Sequence, residues 1–258
     1  MISALARPVW QIARKPYILL PAILLGIILF FFIDQLFLSF LEVLYRMAVL
    51  GEFPDAGLME IPLQLAGKYS ANIIAILALG AVLNTGTALA AFFYTKYAKN
   101  NDAGESLSYA LGRIVDAISV SVFLAIAVII YLALFFLAFS IFSLGGIFDL
   151  IAMIAISLLA LLGVYITIKM SFLLTVMASD DIKLKEAFKK AWLWSSKRFW
   201  NILAMLAILL VIGNAILAMG FGIIAGIEND FLALALFSVF SSIGSAYAAL
   251  AMANYYSS

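Results

Sequence analysis

The chain contains no cysteine and no histidine. The first absence removes thiol nucleophiles, disulfides and iron–sulfur sites. The second removes imidazole bases, Ser–His dyads and most zinc sites. Charge is scarce too: Asp, Glu, Lys and Arg make up 11% of the 258 residues, against about 25% in soluble domains. The net charge is +1 and no segment is a Lys/Arg-dominated domain, which excludes a nucleic-acid binder. What fills the chain is apolar, with 67% hydrophobic residues and a mean hydropathy of +1.18. A soluble enzyme is excluded; this is the composition that a lipid solvent selects.

A hydrocarbon core about 30 Å thick needs about 20 apolar residues per helical crossing. Six stretches qualify: 17–41, 70–95, 119–143, 148–177, 199–226 and 230–255. Basic residues orient them. Of the 15 Lys and Arg, all but Arg46 and Lys68 fall on the side of the N-terminal segment, the 2–3 connection and the 4–5 connection. The opposite side is acidic, with Glu42, Glu52, Asp55, Glu60, Asp149, Glu228 and Asp230. Both termini are therefore expected in the cytoplasm, in the plasma membrane of a bacterium or archaeon. Arg14 and Lys15 before an apolar run also fit a signal peptide, but no clear small-residue cleavage site follows; a retained signal anchor is the expectation.

Before each odd-numbered span lies a helical apolar face at i, i+3, i+4, i+7, i+8 and i+11. The three sets are Ile2, Leu5, Ala6, Val9, Trp10 and Ala13; Leu107, Ala110, Leu111, Ile114, Val115 and Ile118; and Leu184, Ala187, Phe188, Ala191, Trp192 and Ser195. Their other faces carry Arg7, Gln11 and Arg14; Arg113 and Asp116; and Lys185, Lys189 and Lys190. They read as amphipathic helices in the membrane interface, apolar side down. Pro8 is expected to kink or shorten the first. The ends of the even spans match loosely as well, Ala91–Ala98 against Ser171–Ala178, with only small residues kept in Ala246–Ala253. The expected fold is all-α: a single membrane domain, 1–258, of six transmembrane helices arranged as three hairpins. A short interfacial helix precedes each hairpin, and the repeats are 1–98, 103–178 and 183–258. Independent amphipathic elbows without duplication are the alternative. The connections at 143–149 and 226–230 carry the Gly and Asn of tight turns, and the long 42–69 loop is either functional or mobile.

Polar residues within the spans are few, and each has a functional and a structural reading. Asp34 and Gln35 sit late in span 1, either as a binding or proton site or at the outer headgroups. Lys169 in span 4 either snorkels to the interface or turns inward to pair with a phosphate or carboxylate. Asn84 in span 2 and Asn214 in span 5 either line a polar pathway or join helices. Small residues (Ser238, Ser241, Ser242 and Ser245 in span 6, the Gly222/Gly226 pair in span 5) read as close-packing helix surfaces. Asp180 and Asp181 read as a helix N-cap. The basic cluster Lys183, Lys185, Lys189, Lys190, Lys197 and Arg198 is interleaved with Trp192, Trp194 and Trp200. Together with Arg14 and Lys15, it is the expected contact for anionic lipid headgroups.

Ala13-Arg14-Lys15-Pro16-Tyr17-Ile18-Leu19-Leu20-Pro21, the six spans and the Ala187-Phe-Lys-Lys-Ala191-Trp192 elbow resemble the uncharacterised six-span membrane proteins of archaea and bacteria. That group is similar to the membrane domain fused to some bacterial glycerophosphodiester phosphodiesterases. The resemblance implies a membrane-embedded helper; the phosphodiesterase chemistry resides in a separate soluble domain of those fusions, so no catalytic residue is carried over. Mitochondrial carriers share a threefold hairpin plan, but their interfacial helix lies inside each hairpin and their P-x-[DE]-x-x-[KR] motif is missing here. No zincin, phosphate-loop or EF-hand motif is present either. The expectation is a non-enzymatic membrane scaffold or lipid-associated helper, without metal or cofactor. A small transporter or channel passing a solute between the hairpins is the alternative. A membrane-protein partner or a second copy of the chain remains open.

Overall fold

A computed structural model describes residues 2–29, 31–32, 70–140, 147–224, 226–227 and 230–257. Asp34, Gln35 and the 42–69 loop lie outside the described residues. The described residues are helical throughout, with no strand. In order they form α1 (Ile2–Arg14), α2 (Pro16–Leu29, opening as a 3-10 turn over Pro16–Leu19), α3 (Ser70–Asn100) and α4 (Ala103–Gly112). There follow α5 (Ile114–Ser140), α6 (Ile147–Met170), α7 (Leu173–Asp180), α8 (Leu184–Lys197), α9 (Phe199–Ile224) and α10 (Asp230–Tyr256). Five helical spans are long and apolar enough to cross a membrane, or six when α1 and α2, bent by 109°, count as one. This is the character of a multi-pass membrane protein.

Burial separates the spans into a centre and a periphery. In α3 and α10, 33% of the most apolar window is buried; in α5, α6 and α9 the figures are 12%, 11% and 17%. The peripheral helices turn Ile129, Ile130, Leu161, Leu210 and Val211 outward. Water does not tolerate an apolar surface of that extent, whereas lipid tails solvate it at no penalty. The densest packing lies at one end of the spans, where Phe92, Tyr94 and Tyr97 of α3, Phe172, Val176 and Met177 at α7, and Leu250 and Ala251 of α10 are all buried. This end also carries the described basic residues of the elbows; we call it the basic end.

Close contacts fix how the helices run. Ile18 lies against Tyr94, Leu25 against Gly86 and Phe32 against Gly80, so α2 and α3 are antiparallel. Gly213 lies against Gly244, Gly220 against Phe240 and Phe221 against Phe237, which makes α9 and α10 antiparallel too. Small residues allow two of the tightest approaches. A Cβ on Gly26 would meet the Ser242 hydroxyl at 2.8 Å and the Ser238 carbonyl oxygen at 2.9 Å, so the serine stripe of span 6 is a packing surface against α2. The Gly222/Gly226 pair makes no such approach among the described residues: a Cβ at either position meets none of them within 4 Å.

The elbows depart from expectation in three ways. First, they bury small residues on protein: Ala4 and Pro8 in α1, Ser106 and Ala110 in α4, and Ala187, Ala191 and Ser195 in α8. Their large apolar residues, such as Val9, Trp10, Leu107, Leu111 and Leu193, stay exposed. Second, the middle elbow is a turn shorter, 10 residues against 14 in α8. Arg113 interrupts it, so the apolar set from Leu107 to Ile118 straddles two helices and the third span starts at Ile114, not 119. A loss of about one turn of 3.6 residues preserves helical phase, so the periodicity runs through the break unseen. Third, Pro8 neither shortens nor ends α1, which continues to Arg14. Each elbow passes into its span at a basic residue: Lys15, Arg113 and Arg198.

Span 4 also has an interruption. The ladder breaks after Met170, and α7 carries the chain on to Asp180. The freed carbonyls find hydroxyl donors: Ser195 Oγ donates to the Lys169 carbonyl at 3.0 Å, and Ser171 Oγ to that of Ile168 at 2.9 Å. Orphaned carbonyls this deep would otherwise destabilise the break.

Candidate functional site

At the basic end, α3 and α7 both stop at a residue in the left-handed backbone region, Asn101 (φ 54°) and Asp181 (φ 55°). Asn and Asp tolerate this conformation better than other side-chain-bearing residues. The chain can therefore turn sharply from a span into an elbow. Asp102 then caps α4, accepting from the Glu105 N–H at 3.0 Å. Asp180 and Asp181 do not cap α8; its N-cap is Lys183, with no side-chain bond. Asp181 closes α7 instead, while Asp180 pairs with Lys190 at 2.9 Å and accepts from the Tyr256 hydroxyl at 2.6 Å.

Arg113 joins the α4–α5 junction to the end of α7. Its guanidinium donates to the carbonyls of Met177 and Ile182, both at 2.9 Å, and to Asp116 at 2.7 Å. Tyr109 donates to the Ala178 carbonyl and to Asp181, and accepts from Arg113. Burial, opposed by the Arg113 hydrogen bond, raises the Tyr109 phenol above its ordinary range.

Lys169 turns inward. It is buried, its ammonium donates to Ser196 Oγ at 2.6 Å, and the rings of Tyr165, Trp192 and Phe199 surround it at 5.2, 5.5 and 5.8 Å. Neither the expected phosphate-type partner nor a carboxylate is needed to hold it: ring quadrupoles and one hydroxyl take that role. Asn84 and Asn214 are both exposed on the outer surface of their helices, and Asn214 turns its amide back to the Leu210 carbonyl at 2.8 Å.

The basic cluster of the last elbow faces outward. Lys183, Lys185, Lys189, Lys190, Lys197 and Arg198 are all exposed. Lys190 is tied to Asp180, and Arg198 stacks on Trp194 at 5.0 Å. Lys185 and Lys189 have no acidic partner among the described residues. Trp200, 76% exposed, extends from the same end.

A second basic feature lies between α1 and the ends of α3 and α10. A cavity of about 290 Å³ is lined by Arg7, Trp10, Gln11, Arg14, Lys15, Tyr97, Ala98, Asn101 and Asn254. Lys15 donates to the Asn101 carbonyl at 2.9 Å, and Asn254 donates to Gln11 Oε1 at 3.3 Å. Arg7 and Arg14 have no acidic partner among the described residues, and no carboxylate is among the described residues that line the cavity. The sequence marks Arg14 and Lys15 as basic and Arg7, Gln11 and Arg14 as one helix face. It carries no signal that Asn254 and Tyr97 arrive opposite that face.

No family model, curated protein or solved structure matches the chain.

Proposed function

We propose that this is a non-enzymatic multi-pass membrane protein, a scaffold or lipid-associated helper whose basic end rests on the anionic headgroups of the cytoplasmic leaflet. The six spans are then three antiparallel hairpins, each introduced by an elbow, with both termini cytoplasmic. The likeness to the membrane domain found beside some glycerophosphodiester phosphodiesterases belongs to this reading and rests on sequence pattern alone.

The observation that carries it is the state of Lys185 and Lys189. Both are exposed, without an acidic partner among the described residues, at the end of the molecule where Trp200 projects. A lysine near an anionic leaflet gains about 1 kcal/mol, and indole rings favour the headgroup region. A lysine already neutralised by a carboxylate would gain less, so Lys190 contributes less than its two neighbours.

The test is flotation with vesicles of phosphatidylcholine alone or mixed with phosphatidylglycerol, using protein in minimal detergent. Lys185→Glu with Lys189→Glu should remove at least about 2 kcal/mol of preference for the anionic vesicles, about thirtyfold in partitioning. Equal partitioning of the variant and the native chain would refute the headgroup contact.

A further inference from the structure

We propose that the cavity between α1, α3 and α10 is a seat for the phosphate of one anionic membrane lipid, distinct from the diffuse contact along α8. The inference rests on the reading of the basic end as membrane-facing.

The first support is the balance of donors. Three cations, Arg7, Arg14 and Lys15, line about 290 Å³ of space with no carboxylate among the lining residues. Cations gathered with no counter-charge among the described residues repel one another, and an anion removes that repulsion. Gln11 spends its Oε1 on the Asn254 amide, which leaves the Gln11 amide N–H groups as donors. Guanidinium forks of Arg7 and Arg14 match phosphate oxygens in a bidentate geometry that a lysine cannot offer.

The second support is independent of charge. Tyr97 is completely buried, lines this cavity, and its hydroxyl has no hydrogen-bond partner among the described residues. Buried hydroxyls are almost always satisfied, and an orphan beside a cavity points to a group that occupies it. A phosphate oxygen accepts where a water would, and adds charge to the bond.

A third observation selects a lipid over a free anion. Across the wall of the cavity lies an apolar groove of about 160 Å³, lined by Pro21, Leu24, Ile28, Leu89, Phe93 and Leu111 among others. Phe93 of the groove stacks on Tyr97 of the cavity, ring centroids 6.0 Å apart. The cationic space and the apolar one thus meet at one ring pair, which offers an acyl chain apolar surface close to a phosphate held in the cavity.

Native mass spectrometry of the detergent-extracted protein reads the seat directly. The native chain should keep one phosphatidylglycerol after delipidation and rebinding. Arg7→Gln with Arg14→Gln should lose retention by at least about a hundredfold, since charge-assisted hydrogen bonds at two residues disappear. Tyr97→Phe, which keeps the ring stack and so the fold, should lose about tenfold. Lys185→Glu with Lys189→Glu should retain the lipid while failing the flotation test, so the two proposals fail separately. Millimolar inorganic phosphate should not displace the lipid. Native-level retention in both cavity variants would overturn the seat; displacement by inorganic phosphate would overturn its assignment to a lipid.

Discussion

The guanidinium of Arg113, at the close of α4, approaches the carboxylate of Asp181, at the close of α7, to 3.3 Å. Asp181 is largely exposed, so the charge pair itself contributes little. The strength of the junction comes from what Arg113 does beside it, donating to the Met177 carbonyl in the last turn of α7 and to the Ile182 carbonyl just beyond it. A lysine has one donor centre and cannot reach Met177, Ile182 and Asp116 together. Arg113→Lys should therefore destabilise the protein by about 2 kcal/mol, and Arg113→Ala by about 3 kcal/mol. Thermal unfolding in a fixed detergent measures both; a midpoint unchanged in Arg113→Ala would contradict this role.

The neighbouring Tyr109 gives a pH dependence. Its phenol titrates above the unfolded value of about 10, chiefly through burial. The neutral form is thus favoured in the folded state. Stability from this group is complete below pH about 10 and falls as pH rises from there through the folded pKa. Tyr109→Phe should flatten the alkaline limb of the stability curve. An identical limb in the variant would assign that slope to other groups.

Much of this arrangement was legible in the sequence, and the part that was not has a physical reason. Long apolar runs and basic connections mark the helices because a bilayer imposes length and charge together. The break after Met170 was hidden, because it carries no proline or glycine that must stop a helix; the one at Arg113 follows Gly112, but a lone glycine inside an apolar period does not by itself end a helix. The break after Met170 persists because Ser195, from another helix, satisfies the Lys169 carbonyl, and the one at Arg113 is tied across to Met177 by the guanidinium. The cavity was hidden for the same reason. Arg7 and Asn254 are far apart in the chain, and helix periodicity reports only what lies on one helix.

Lys169 illustrates a buried charge that a pattern of spans cannot interpret. Removing the Ser196 hydroxyl would leave an ammonium held only by rings, so Ser196→Ala should cost about 1–2 kcal/mol. Lys169→Met keeps the stem and removes the charge, and should be near neutral, because apolar isosteres of buried charges often are. In the double variant the Ser196→Ala penalty should disappear. A double-mutant cycle by thermal unfolding would contradict the cage if the two effects simply add.

Close packing makes a further distinction among glycines. Gly26→Ala places a methyl 2.9 Å from the Ser238 carbonyl oxygen, an atom of the backbone, and should destabilise by about 1–3 kcal/mol. Gly222→Ala meets open space and should be neutral or stabilising by up to about 1 kcal/mol, as alanine favours a helix. Equal losses in both variants would restore Gly222 as a packing residue.

The absence of cysteine makes orientation measurable with a single introduced thiol. Lys185→Cys, on the exposed face of α8, should react with a membrane-impermeant maleimide only after the cells are lysed. Labelling of this residue in intact cells would place the basic end outside and contradict the inner-leaflet reading on which the headgroup contacts depend.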